Sequence, residues 1–210
     1  LPEVLVIGAS TGGPPALMAV LSGLPENFPA PILVVQHISD AFVEALVHRL
    51  DQLSPLPVGF AEPGARLEPG RIVFFRGGAN AELVRRDGAL TYLRQPAPPN
   101  TPHVPSVDAL FLSAAQVCGA RAWAVLLTGM GRDGAEGMLS IRRAGGFTVA
   151  QDQATSVVWG MPRAAFELGG ASVLAPLHSI TPSLQRALEV LSPAVTTGAQ
   201  RHSKEEVCTQ

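Results

Sequence analysis

Three short segments end in residue types that together make a nucleophilic site. In "VLVIGASTGGPPALMAV", residues 4–20, an apolar run stops at a small-residue turn holding Ser10. In "ILVVQHISDAF", residues 32–42, a second apolar run stops at His37. In "WAVLLTGMGRDGAEGM", residues 123–138, a third runs into a glycine-punctuated turn with Asp133. A serine attacks carbonyl carbon only if a base takes its proton, and an imidazole base works best when an acid orients it. If the three runs are neighbouring parallel strands, all three side chains emerge at the same sheet edge, where α/β proteins place their sites.

Each segment also has a plainer reading. The first turn competes as a phosphate cradle, because Gly8 and Gly13 fit two positions of G-x-G-x-x-G. The middle position, where a second glycine lets pyrophosphate approach the backbone, is Ser10. A short-chain dehydrogenase variant would need glycine where Pro14 stands, and the only tyrosine, Tyr92, has Pro96 rather than lysine four residues on. The same turn matches G-x-S-x-G as Gly8, Ser10 and Gly12, a geometry that exposes a hydroxyl beside a helix amino terminus. Ser10 alone is equally a turn residue, His37 a cap on the next helix, and Asp133 a cap on a helix starting near Ala135. Three polar residues of the right types at three strand ends are better explained by one site. The chain order Ser–His–Asp differs from the α/β-hydrolase order, but triads are defined by geometry and role.

The elements that must position these residues follow from the apolar pattern. Short β-rich runs at 4–7, 32–35, 72–75, 122–127, 147–150 and 172–174 alternate with helical stretches. That alternation predicts an α/β fold with a mainly parallel sheet. Strands apolar throughout suit such a sheet, since both faces are covered. "ELVRRDGALTYL" carries Asp87-Gly88 between two short runs and predicts an antiparallel hairpin that interrupts the parallel order. A helix over 42–50 opens after Asp40. In "SVDALFLSAAQVCG", Val107, Leu110, Phe111, Ala114 and Val117 form one stripe, with Ser106 as cap and Gly119 as stop. "TPSLQRALEVL" reads as a helix capped by Thr181 with Pro182 at its first position. Residues 94–105 are a proline-rich loop, and residues 193–210 read as a polar tail or disordered linker.

Composition narrows the field. The chain has 210 residues, 47% hydrophobic and 15% charged, enough for one large core. Its formal net charge of -2 gives no basic field for nucleic acid. No apolar run approaches the roughly 20 residues of a membrane span. Two cysteines, Cys118 and Cys208, make no disulfide framework and favour a reducing compartment. The one lysine, Lys204, sits in the polar tail, which excludes a Walker A loop and a Schiff-base site in the folded body. No His/Cys/Asp cluster has metal-ligand spacing, so neither metal nor cofactor is expected. The chain starts at Leu1 and reads as a piece of a longer protein.

"IGASTGGPPAL", "VVQHISDAF", "LLTGMGRDGAEGM" and "AQDQATSVVWGMPRAAFELG", in that order, resemble the catalytic domain of the bacterial chemotaxis protein-glutamate methylesterase family. The resemblance covers about residues 3 to 190 and implies a catalytic domain over residues 1–192. It also implies the doubly wound order of that sheet, with helices on both faces. It places the family's nucleophile on Ser10, its histidine on His37 and its aspartate on Asp133. The oxyanion-hole backbone amide falls on Met130, and the threonine beside the nucleophile on Thr11. The implied activity is hydrolysis of glutamate methyl esters on the cytoplasmic helices of methyl-accepting chemoreceptors, releasing methanol, with deamidation of certain glutamines. A cytoplasmic location and an amino-terminal receiver domain, absent from this chain, are implied as well. The chain departs from the family at "FRGGANAEL", where a Pro-Gly-Gly turn followed by histidine is expected. That touches none of the three site residues but bears on receptor docking.

Other chemistry-bearing residues read as structural. His103 in the proline-rich loop reads as solvated, His48 and His178 as surface or structural, and Cys118 as buried. Trp159 and Met161 are candidates to line the cleft, with Pro162 opening a helix. Arg132 and Arg163 are candidates to meet an acidic receptor surface. Two rival functions stand beside the esterase: a catalytically idle docking module for receptor or partner, and a nucleotide-dependent oxidoreductase, disfavoured by Ser10 and Pro14.

Overall fold

The computed structural model describes residues 1–191, and the expected polar tail at 193–210 lies outside them. Seven parallel strands form one sheet. In chain order they are β1 (Val4–Ala9), β2 (Ile32–Gln36), β3 (Val58–Phe60), β4 (Ile72–Phe74), β7 (Ala122–Leu126), β8 (Thr148–Gln151) and β9 (Val173–Ala175). Their spatial order is β3-β4-β2-β1-β7-β8-β9. The hairpin strands β5 (Asn80–Arg86) and β6 (Ala89–Gln95) turn at Asp87 and Gly88, both with positive φ, as the sequence predicts. They form a separate two-stranded sheet and do not enter the parallel one, which corrects the expectation that they interrupt it.

The central strands are apolar on both faces because both are covered. Leu5, Ile7 and Ala9 of β1 join one core with α1 (Gly13–Leu21), α2 (Asp40–Leu53) and α6 (Leu177–Leu191). Val4 and Val6 join the other with α3 (Val107–Cys118), α4 (Ala135–Arg143), α5 (Met161–Glu167) and the hairpin. The helix after β1 therefore lies on one face and the helix after β7 on the other. The strand order reverses between these two neighbours, and the crevice this leaves is where open α/β sheets hold their sites.

Some elements differ from the sequence reading; α2 begins at Asp40, not after it, and runs on to Leu53. α6 begins at Leu177, one turn before Thr181, so Pro182 lies inside it. Pro182 has no N–H to give the carbonyl one turn back, that of His178, and both residues are exposed. Thr181 is no cap: it is buried and donates its hydroxyl to Val20 O at 3.0 Å, tying α6 to α1. β3 was not expected, being a three-residue strand at the sheet edge with too short a pattern to read. No described helix is long and apolar enough to cross a membrane.

Candidate active site

Strand register sets the site. Ala9 pairs with Gln36 and Gly8 with Leu126, so Ser10, His37 and Thr128 leave the sheet side by side. His37 N donates to Ala9 O at 3.0 Å, and Ser10 N donates to Thr128 O at 3.0 Å. Gln36 closes the serine turn from below: its Nε2 donates to Ser10 O at 2.9 Å and to His37 O at 3.1 Å. Thr128 closes it from the side, donating Oγ1 to Thr11 O at 2.9 Å while its own N–H bonds Gln151 Oε1 at 2.8 Å. The sequence reading used neither Gln36 nor Thr128. The signal was a polar residue ending a run of otherwise fully buried apolar ones.

Asp133 reaches His37 across this edge, with Oδ2 2.8 Å from Nε2. The histidine side chain is 4% exposed and the aspartate's 17%. Asp133 is indeed a helix cap, but of a different helix from the one expected. The cap position of α4 is Gly134, with no side-chain cap bond, whereas Asp133 accepts from the start of α3. Its donors there are Val107 N at 2.8 Å, Asp108 N at 2.9 Å and Ser106 Oγ at 2.8 Å. Ser106 is also the expected cap of α3, accepting from Ala109 N at 3.3 Å. Val107 can sit this close to the sheet because Gly8 and Gly134 carry no Cβ; one on Gly134 would lie 2.6 Å from Val107 Cγ1. Burial raises the Asp133 carboxyl, but the bonds from His37, the two backbone amides and Ser106 outweigh it and hold it below the usual carboxylate range. Asp108, bonded by Gly137 N at 2.7 Å, is pushed up, chiefly by burial.

An ionised carboxylate only accepts, so His37 Nε2 carries the proton of that bond and Nδ1 is the nitrogen left to face Ser10. Nδ1 is buried and has no partner among the described residues, so no hydrogen bond joins it to Ser10. Ser10 itself is 8% exposed, more covered than the G-x-S-x-G geometry predicts. The cover is Gly129: a Cβ there would lie 2.7 Å from Ser10 Cβ. Gly129 is followed by Met130, whose side chain is 68% exposed and whose N–H has no partner among the described residues. Thr11 is exposed at the N-terminal side of α1, next to Gly12, the helix cap at φ 78.

His103 is exposed, in keeping with the solvated reading, but one face of it is engaged. Its ring stacks on His37, with centroids 4.2 Å apart and planes 16° apart. Burial and the neighbouring His37 lower its pKa, against a smaller upward pull from Asp133. Nothing local marks this in sequence, because the two histidines are joined only by the fold. His103, Ser106, Asp108, Met130, Arg132 and Asp133 are among the residues lining a cleft of about 370 Å³. Met161 is fully buried and so packs, whereas Trp159 is half-buried and donates Nε1 to Gln151 O at 3.1 Å. Arg132, in the turn before α4, pairs with Glu136, and Arg163 pairs with Glu167 one turn along α5. His48 and His178 are exposed. The departing segment after β4 is tied back by Gly77 N to Asp40 Oδ1 at 2.8 Å, beyond β2 from the serine.

Residues 5–184 match the family model for the CheB methylesterase domain. A Carboxydothermus hydrogenoformans protein named protein-glutamate methylesterase/protein-glutamine glutaminase 1 is 46% identical over 180 residues, 85% of this chain and 53% of that protein. An Anaeromyxobacter dehalogenans protein named protein-glutamate methylesterase/protein-glutamine glutaminase 2 is 51% identical over 183 residues, 87% of this chain and 52% of that protein. The chain thus spans about half the length of the curated relatives it matches. The crystal structure of the Thermotoga maritima CheB methylesterase catalytic domain superposes with a TM-score of 0.85 at 36% identity, covering 89% of this chain and 99% of that one.

Proposed function

The chain belongs to the CheB methylesterase family, and on that premise we propose that residues 1–192 are a catalytic domain hydrolysing glutamate methyl esters on chemoreceptors. The observation that carries the reading is the sheet edge where the Ser10 turn, the His37–Asp133 pair and the Met130 loop abut. Ser10 Oγ attacks the ester carbonyl and His37 takes its proton. Since Nε2 is committed to Asp133, Nδ1 is the accepting nitrogen, the reverse of the arrangement in chymotrypsin-type triads. Catalytic contacts of this kind often tighten only in the enzyme–substrate complex.

The tetrahedral oxyanion is held by the Met130 N–H, a kind of donor worth about 3 kcal/mol of transition-state stabilisation. Nδ1 returns its proton to the leaving methanol. A water, deprotonated by the same nitrogen, then attacks the acyl-serine; the C–Oγ bond breaks, Nδ1 returns the proton to Ser10 Oγ, and the glutamate side chain leaves as its carboxylic acid, which ionises. With a glutamine side chain the leaving group is ammonia, so one site serves both reactions. Asp133 stays ionised throughout and fixes the ring and its tautomer; Thr11, beside the serine, supports the turn. The substrate segments are the cytoplasmic helices of methyl-accepting receptors, and a receiver domain elsewhere on the polypeptide supplies regulation. No cofactor, nucleic acid or membrane insertion takes part.

The test is methanol release from receptor membranes carrying glutamate methyl esters, and ammonia release from receptors with unprocessed glutamines. Release of methanol is expected. A folded chain that binds these membranes and releases none is the docking module instead.

A further inference from the structure

We propose that His103 is a positioning residue for His37: its stacked ring fixes the plane of the imidazole and shields Nδ1 from water. The proposal rests on the serine-esterase reading and adds a residue that reading does not use. Asp133 holds one atom of the His37 ring, Nε2, at 2.8 Å. A single hydrogen bond leaves the ring free to tilt about that contact. The nitrogen that must meet Ser10 lies on the other side of the ring, where a tilt moves it most. A nearly parallel stack at 4.2 Å removes that freedom, because it constrains the plane rather than a point.

The same stack explains an otherwise odd burial. His37 ends a strand at the sheet edge, yet its side chain is 4% exposed and Nδ1 is buried without a partner among the described residues. The loop bearing His103 is held in place from its own end. Ser106, three residues on, donates its N–H to Asn80 Oδ1 at 2.8 Å and its hydroxyl to Asp133 at 2.8 Å. Thus Asp133 anchors both the edge of the His37 ring and the segment that covers its face. Burial and His37 itself keep His103 on its neutral side, which suits a ring that must lie against an imidazolium during turnover. The remaining ionisable groups on the cleft wall are Asp108, Arg132 and Asp133. The role needs a flat ring and no titrating nitrogen.

The experiment compares the parent chain with His103→Ala and His103→Phe. One readout is kcat and KM for methanol release from methylated receptor membranes. The other is the rate at which diethyl pyrocarbonate modifies His37, located by peptide mapping. His103→Ala should lose roughly 10- to 100-fold in kcat with KM little changed, the scale of a misplaced catalytic group. His37 should then be modified several-fold faster. His103→Phe should restore both toward the parent. An unchanged kcat in His103→Ala, a rise in KM alone, or a folded His103→Phe as impaired as the alanine variant overturns the proposal. If the parent itself releases no methanol, the esterase reading fails, while the modification rates still decide whether His103 covers His37.

Discussion

At the residue scale the Asp133 carboxylate meets four donors: His37 Nε2, Ser106 Oγ, Val107 N and Asp108 N. An asparagine there would turn an NH2 toward at least one of them. Asp133→Asn should therefore cost stability, about 1–3 kcal/mol for a buried donor left unpaired, as well as rate. The rate loss should be on the order of 10⁴-fold if the amide holds His37 in the wrong tautomer. Methyl-ester hydrolysis and thermal unfolding measured together check both; a variant within a few-fold of parental rate contradicts the assignment. The acid stability follows from the depressed Asp133 pKa. Its contribution is fully present above the ordinary carboxylate value and is lost as pH falls through that value toward the lower folded one. Asp108, pushed up by burial, acts in the opposite sense. The melting-temperature gap between the parent and Asp133→Asn should accordingly shrink below about pH 4. A gap that stays constant with pH would contradict it. The His37–Asp133 pairing was legible because His37 follows one apolar strand and Asp133 the glycine-punctuated turn after another, where polar residues stand out. His103 was not, because stacking joins segments 66 positions apart that share no local pattern.

At the scale of elements, α3 and the Gly129 loop do the positioning. α3 was readable in full, cap and stop included, because Ser106 and Gly119 punctuate a helical stripe. What its amino terminus is for was not readable, since its free amides meet a side chain from beyond β7. Ser106→Ala removes both its cap bond and its bond to Asp133, and should destabilise by about 1 kcal/mol. Thermal unfolding measures this, and an unchanged melting temperature would show the cap to be idle. Gly129 presses on Ser10 and on Met161, where a Cβ would clash with the sulfur. Gly129→Ala must push the Met130 amide away, and loss of one oxyanion donor lowers kcat by about 10²-fold. A fully active Gly129→Ala would place the donor elsewhere. The α6 start was missed because proline just after a threonine imitates a helix opening, whereas tertiary packing on α1 extended the helix backwards.

At the scale of the whole molecule, the mainly parallel α/β sheet was legible from alternation, because strands buried on both faces lose the two-residue pattern; the doubly wound order came only with the family resemblance. The detached hairpin was not legible, since its pairing is local and says nothing of what lies beside it. One buried reporter tests the second core. Burial, with Glu3 alongside, pushes the Cys118 thiol up to about 12. In a Cys208→Ser chain, Cys118 should react with a thiol reagent only on unfolding; prompt reaction of the native chain would mean that the α3 face opens. The account as a whole turns on whether a serine at the end of the central strand does the chemistry. The most direct measurement is methanol release from methylated receptor membranes by Ser10→Ala beside the parent, with thermal unfolding of both. The account predicts an unchanged fold and no release above background; undiminished release by the folded variant would contradict it.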